Sequence, residues 1–143
     1  MSINQVKSFR NTMDKSYEWL SDIQLEMPWI EHEHAFAALK ATLKSVRDRL
    51  TPEEAVHFGS QLPALLRGYY FEGWKLSKVP SCDKDIEDIM KRFEKYFGHA
   101  NVENPYLLFK TCLKIITNRV SQGEIEDVES VMPKRLKSFW KNL

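Results

Sequence analysis

FAALKATLKSVRDRLTPEEAVHFGSQLPALLRGYY, residues 36–70, aligns without a gap with residues 106–140, YLLFKTCLKIITNRVSQGEIEDVESVMPKRLKSFW. Eight of the 35 aligned pairs are identical. These pairs are Lys40/Lys110, Leu43/Leu113, Lys44/Lys114, Arg49/Arg119, Glu54/Glu124, Ser60/Ser130, Pro63/Pro133 and Leu66/Leu136. A repeat of this kind predicts two equivalent structural units, because each copy buries its apolar face against its neighbour.

Apolar residues recur every three or four positions in both stretches, which is the period of an amphipathic helix. The stripes are Phe36, Leu39, Leu43, Val46 and Leu50, and then Tyr106, Phe109, Leu113, Ile116 and Val120. We expect both stripes in the core. Alternating runs of β-branched residues, which indicate strands, are missing from the sequence. The sequence therefore predicts an all-α protein made of two tandem repeats of about four helices each, packed as one bundle-like domain.

The repeats also predict the boundaries along the chain. We expect a single domain over 1–143, with repeats at about 4–74 and 83–143 and a linker at about 75–82. The third helix of each repeat begins at a predicted capping box, Thr51 to Glu54 and Ser121 to Glu124. In such a box the hydroxyl accepts from the third amide of the helix, and the glutamate reaches back to the hydroxyl residue. The relative orientation of the two repeats is left open.

Charge and composition exclude several classes of protein. Lys and Arg number 21 against 20 Asp and Glu, so the formal net charge is only +1, and no nucleic-acid partner is expected. The first residues lack the apolar core of a signal peptide, and no stretch is long enough for a membrane span. Cys82 and Cys112 have no metal-ligand spacing and are expected to be reduced thiols. A cytoplasmic protein is therefore predicted.

Three motifs stand out in this sequence. They are the Arg-Asp-Arg-Leu turn at Arg47 to Leu50, Leu62-Pro63, and Arg-Gly-Tyr-Tyr at Arg67 to Tyr70 followed by Gly73-Trp74. Together they resemble a bacterial family known as domain of unknown function 2267, over roughly Ser16 to Trp140. The resemblance implies an all-helical protein of bacterial origin without an established activity.

Repeat symmetry helps to separate packing residues from functional ones. A residue present at both equivalent positions is expected to serve the packing that both units share, whereas a unique site should break the symmetry. Arg49/Arg119 and Glu54/Glu124 are kept in both units and flank the capped turn. We therefore assign the arginines to an ion pair or to hydrogen bonds with the carbonyls that end the preceding helix.

One segment, Glu31-His32-Glu33-His34, resembles a metal-binding sequence. Glu31 and His34 are three residues apart, as in di-iron helical bundles. Such a site needs a second Glu-x-x-His, and the equivalent positions hold Asn101 and Asn104. Glu31, His32 and His34 are therefore only weak candidates, and we expect no metal and no cofactor. His57 and His99 are isolated in the sequence.

The segment from Arg67 to Trp74 is the candidate binding site, and it is not repeated in full in the second unit. Arg67, Tyr69, Tyr70 and Trp74 are residue types enriched at binding hot spots. Arg67 is expected to keep its guanidinium free for an acidic or phosphorylated partner. The alternative is that these aromatic residues only cement the two units together.

Sequence motifs for catalysis are missing: no nucleophile elbow, glycine-rich phosphate loop or Cys/His grouping is present. We therefore predict a noncatalytic interaction or regulatory module, with a protein partner or self-association. The alternative is an enzyme or metal-binding protein whose site is assembled only by the fold, in the Glu31/His34 region. The sequence does not identify a small-molecule ligand.

Overall fold

A computed structural model describes residues 1–98 and 101–143, so the isolated His99 lies outside the described residues. Within those residues the chain forms eight α-helices, two short 3₁₀ turns and no β-strand. The helices are α1 (Lys7–Glu26), α2 (His32–Arg49), α3 (Pro52–Ser60), α4 (Ala64–Phe71), α5 (Ile86–Phe97), α6 (Pro105–Arg119), α7 (Gln122–Ser130) and α8 (Lys134–Lys141). The 3₁₀ turns are Ile3–Gln5 and Leu76–Lys78. The prediction of an all-α protein is confirmed.

Local sequence signals account for where the helices start. Thr51 and Ser121 precede α3 and α7, and each hydroxyl accepts from the third amide of its helix at 3.3 Å. Asp85 and Asn104 cap α5 and α6 in the same way, at 3.0 Å. Pro63, which has no amide hydrogen, stands immediately before α4. These side chains satisfy amides that the helices themselves leave without partners.

Helix boundaries in the second half match those of the first half at the aligned positions. Helices α7 and α8 begin and end at the residues aligned with the ends of α3 and α4, and α6 ends at the residue aligned with the end of α2. The two cap residues also share a backbone conformation, with φ/ψ of −61°/155° at Thr51 and −60°/149° at Ser121. Superposition of residues 16–70 on 86–140 remains a prediction.

Helix α2 lies at the centre of the molecule and packs against α1, α4, α5 and α6. The two halves interleave, because α1 also packs on α6 and α3 packs on α7. Leu43 and Leu113 are both in the core, together with most of the two predicted stripes. Two residues are exceptions: Phe36 is half-buried, and Tyr106 is 45% exposed, with its ring 6.5 Å from that of Phe139.

Two further expectations concern membranes and thiols. Over the residues that the structure describes, no helix combines the length and apolar character that a membrane span requires. Both cysteines are free thiols; Cys82 is exposed and Cys112 is buried. Burial raises the pKa of the Cys112 thiol to about 12, although a hydrogen bond with Thr42 opposes the shift. Cys112 is therefore a protonated core residue.

Candidate functional site

The aromatic residues of the Arg67–Trp74 segment are engaged in packing to different degrees. Tyr70 is fully buried, and its hydroxyl donates to the Ala55 carbonyl at 2.7 Å. A side chain at Gly59 would meet the Tyr70 and Phe71 rings at about 3.0 Å, so this glycine lets the rings approach the α3 backbone. Trp74 is half-buried, and its ring lies 5.4 Å from Phe71. Tyr70 therefore belongs to the core through contacts within the first half, and the alternative that the segment cements the two units stays a prediction.

The expectation of a free Arg67 guanidinium is wrong. Arg67 Nε donates to the Gly59 carbonyl at 2.9 Å, and Nη2 donates to the carbonyls of Leu62 at 2.8 Å and Ser60 at 3.3 Å. These carbonyls lie at the end of α3, where the helix dipole favours a cation. Arg67 also lines an open cleft of about 570 Å³. The Arg67 guanidinium therefore caps the C-terminal end of α3. A binding role for the Arg67–Trp74 segment stays a prediction.

Among the described residues, the Glu31–His34 segment is not part of a group of side chains converging at metal-ligand distances. Glu31 is 76% exposed, and its Oε2 lies 3.9 Å from Nδ1 of His34. His32 Nδ1 lies 3.1 Å from Nε2 of Gln24. Glu31 and His34 line a cleft of about 150 Å³ that Asn104 also borders. The fold thus brings the two equivalent segments together without adding a second Glu-x-x-His.

A different set of carboxylates converges where α3 meets α7. Glu54 from α3 and Glu124 and Asp127 from α7 each place one oxygen within 4.8 Å of the others. Glu124 is only 9% exposed. The Oε1 atoms of both Glu54 and Glu124 are buried without a hydrogen-bond partner. This carboxylate pair, Glu54 and Glu124, joins equivalent positions of the two halves.

The glutamates do not complete the predicted capping boxes. Only the hydroxyl half of each box forms, from Thr51 and Ser121. The amide of Ser121 donates instead to Oε1 of Gln61, at 3.3 Å. Glu54 and Glu124 are turned toward each other, because α3 packs directly on α7. The assignment of these residues to the caps alone is therefore wrong.

The surroundings of Glu124 raise the pKa of its carboxyl group to about 8. Burial is the largest cause, followed by the hydrogen bond that the protonated carboxyl can make with Glu54 and by the negative charges of Glu54 and Asp127. The raised pKa favours the protonated form of the Glu124 carboxyl, which can donate a hydrogen bond to Glu54. Loss of the proton would leave two carboxylates facing each other in a poorly hydrated contact.

Arg49 and Arg119 connect one half of the chain to the other. Arg119 Nε and Nη2 donate to the carboxylate of Asp22 on α1, at 2.7 and 3.0 Å. Arg49 Nε donates to the Asp83 carbonyl, just before α5, at 2.9 Å. The predicted ion pair is thus present at Arg119. Arg49 was predicted to donate to carbonyls of the preceding helix, and it donates instead to the Asp83 carbonyl of the other half.

A buried ionic network without a counterpart in the second half surrounds Arg47. Arg47 is fully buried, and its Nη1 donates to the carbonyls of Tyr70 at 2.7 Å and Glu72 at 2.8 Å. Its Nε donates to Asp48 at 2.9 Å, and Nη2 donates to the Tyr96 hydroxyl at 2.9 Å. The equivalents of Arg47 and Asp48 are Thr117 and Asn118. Comparing the repeats position by position would have identified this asymmetric pair from the sequence.

Comparison with protein families supports the resemblance seen in the motifs. A family model described as "Uncharacterized conserved protein (DUF2267)" matches residues 16–139. No curated protein matches the chain. Since the family match spans most of the sequence, the chain belongs to the DUF2267 family.

Proposed function

We propose that this protein is a noncatalytic regulatory module in which the carboxylate pair responds to protons. The module is one domain over 1–143, formed by duplication of a helical unit. The observation that carries the proposal is the contact between Glu54 and Glu124, whose Oε1 atoms are both buried and unpartnered. Burying polar atoms without partners reduces the free energy of unfolding, and an apolar pair of similar volume would pack α3 on α7 more stably.

Glu54 lies on α3 of the first half, and Glu124 lies on α7 of the second half. The charge of the carboxylate pair therefore acts on the contact between the halves. With Glu124 protonated, its carboxyl donates to Glu54 and the contact is satisfied. With Glu124 ionised, the two carboxylates repel each other across the α3–α7 contact. A rise in pH therefore weakens the α3–α7 contact, while the hydrophobic core around α2, which both halves share, stays packed.

The equivalence of the two positions supports a duplication with twofold character. Residues at the same position of two units meet when the units face each other across a twofold axis. Glu54 and Glu124 are such a pair. Reciprocal packing of α1 on α6 and of α5 on α2 agrees with the same arrangement. Two free cysteines fit the proposed cytoplasmic location.

Urea unfolding as a function of pH tests the proposal. The folded protein holds a proton on Glu124 between pH 4.5, the ordinary value, and about 8, and the unfolded chain does not. The free energy of unfolding should therefore fall as the pH rises through that interval and level off outside it. Glu124→Gln keeps a donor and cannot ionise, so its stability should match the wild type near pH 5 and exceed it above pH 8.

Glu126→Gln on the exposed side of the same helix is the matched control, and it should retain the wild-type pH dependence. If Glu124→Gln retains the same pH dependence as the wild type, the carboxylate pair is not the titrating element and the proposal fails.

Metal binding is the second candidate function. Its proposed ligands are the carboxylate pair rather than Glu31 and His34. The favouring observation is the convergence of three carboxylate oxygens, including that of Asp127, within 4.8 Å. Oxygen ligands of this kind suit Ca²⁺ or Mg²⁺. A millimolar concentration of either ion at pH 8 should then raise the Tm of the wild type and leave that of Glu124→Gln unchanged. An equal response of both proteins would reject this candidate.

The half-buried aromatic residues of the Arg67–Trp74 segment are the proposed docking site for a protein partner. Tyr69 is half-buried, and its ring packs edge-on against Phe36 at 5.2 Å. Trp74 is half-buried too, and its ring lies 5.4 Å from that of Phe71. These two side chains offer aromatic area for a partner or for a second copy, whereas Tyr70 and Arg67 are committed to the fold.

A further inference from the structure

A small basic pocket opens beside the Arg47 network, between α5 and the segment that follows α4. It has a volume of about 190 Å³ and is bordered by Lys75, Lys78 and Lys95. Its remaining polar lining is Asp48, Arg92 and Tyr96. We propose that this lysine pocket binds the phosphate group of a phosphate monoester. The proposal is independent of the carboxylate pair.

The acidic residues near the pocket are already neutralised by the network. Asp48 accepts from the guanidinium groups of Arg47 and Arg92, and also from the Tyr96 hydroxyl. Asp83 accepts from Arg92 Nε and Nη2. The negative charges of Asp48 and Asp83 are therefore balanced by the positive charges of Arg47 and Arg92, without any contribution from the lysines. The lysines are left as the uncompensated charges of the pocket.

No ion pair in the described part of the chain involves Lys75, Lys78 or Lys95. Like charges around one concave site repel each other, and an anion between them removes the repulsion. A phosphate monoester carries close to two negative charges at neutral pH and has three terminal oxygens. Three ammonium groups match it better than they match a carboxylate, which has one charge and two oxygens.

The size of the pocket restricts what can enter. Sites for whole small molecules usually span roughly 300 to 1,000 Å³, so a pocket of about 190 Å³ accommodates a single anionic group. The rest of the ligand would stay outside. The phosphate group can therefore belong either to a small phosphorylated compound or to a phosphorylated side chain of another protein.

The walls of the pocket are held in place by the fold. Gly73 borders the pocket with φ of +71°, a conformation that favours glycine, and it turns the chain from α4 toward Lys75. Arg47 fastens this turn by donating to the carbonyls of Tyr70 and Glu72. Tyr96, on the opposite wall, is fixed by its bonds to Arg47 and Asp48. A preorganised pocket loses less entropy on binding.

The pocket also breaks the symmetry between the two halves. Lys95, Tyr96 and Arg92 correspond to Leu25, Glu26 and Asp22 in the first half. The equivalent face of α1 therefore cannot form a copy of this site. Shared packing explains residues that both halves keep, and it does not explain a cationic cluster without an equivalent elsewhere in the described residues.

NMR titration of the full chain with inorganic phosphate tests the proposal, with sodium chloride added to keep the ionic strength constant. We expect saturable shifts at the amides of Gly73, Lys75, Lys78 and Lys95. Lys78→Gln should weaken binding on the order of fivefold, because one exposed ion pair with the phosphate is lost. Lys91→Gln, an exposed change on α5 away from the pocket, is the control and should bind like the wild type.

Three further probes define the ligand. Acetate at the same concentration should bind several-fold more weakly than phosphate; equal binding would overturn the assignment to phosphate. Glycerol 3-phosphate and a phosphoserine peptide distinguish the two sources, since the tighter of the two identifies what the phosphate is attached to. Shifts that do not saturate, or an equal loss in Lys78→Gln and Lys91→Gln, would reject the site.

Discussion

Glu54 and Glu124 occupy equivalent positions in the two halves of the chain, and their carboxylates lie within 4.8 Å of each other where α3 packs on α7. Neither Oε1 atom has a hydrogen-bond partner. Burial and the neighbouring acidic groups raise the pKa of the Glu124 carboxyl into the physiological range. The charge at the α3–α7 contact therefore depends on whether Glu124 holds a proton.

Replacing Arg47 should cause a large loss of stability. Arg47→Met keeps most of the side-chain volume but removes the donors to Asp48, Tyr96 and two backbone carbonyls. Removing one partner from a buried ionic network costs about 3–5 kcal/mol, measured by urea unfolding. Arg49→Met removes a single bond from a half-buried arginine and should cost about 1 kcal/mol. Similar small losses in both variants would contradict the network.

Arg67→Ala should reduce stability, because three carbonyls at the end of α3 lose their donor. The expected loss is about 1–2 kcal/mol by urea unfolding, since the site is partly exposed. Lys137→Ala changes the equivalent residue of the second half and should cost within about 0.5 kcal/mol. If Arg67→Ala is as stable as the wild type, the hydrogen bonds of Arg67 do not stabilise the fold, and its guanidinium is available for binding.

The two cap hydroxyls should contribute equally. Thr51→Ala and Ser121→Ala each remove the acceptor for the third amide of their helix, and each should lower the free energy of unfolding by about 1 kcal/mol. Thr51→Ser keeps the acceptor and should stay close to the wild type. If Thr51→Ser loses as much as Thr51→Ala, the hydroxyl bond is not the source of the stability.

The sequence predicted the elements that local chemistry determines. The periodicity of Leu43 and Leu113, the hydroxyls of Thr51 and Ser121 and the proline before α4 act within one helix or turn, so all-α structure and the helix starts could be predicted. The meeting of Glu54 with Glu124 depends on how the two halves face each other, which no local signal specifies.

Other parts of the site were missed for different reasons. Arg67 was expected to be free because its bonds go to backbone carbonyls, which leave no trace in residue identity. The Arg47 network could have been predicted from the sequence, because Thr117 and Asn118 replace Arg47 and Asp48 in the second half. A symmetry-breaking charged pair within the buried stretch of α2 was the informative signal. The lysine pocket adjoins that pair.

Site-specific titration of Glu124 tests the central claim most directly. The side-chain carboxyl ¹³C shift of Glu124, followed by NMR from pH 4 to 10, should report a pKa far above the ordinary 4.5 and near 8. In Glu54→Gln that pKa should move toward the ordinary value, because the nearest negative charge is gone, while burial keeps part of the elevation. Titration of Glu124 near 4.5 in the wild-type protein, unaltered by Glu54→Gln, would contradict the account.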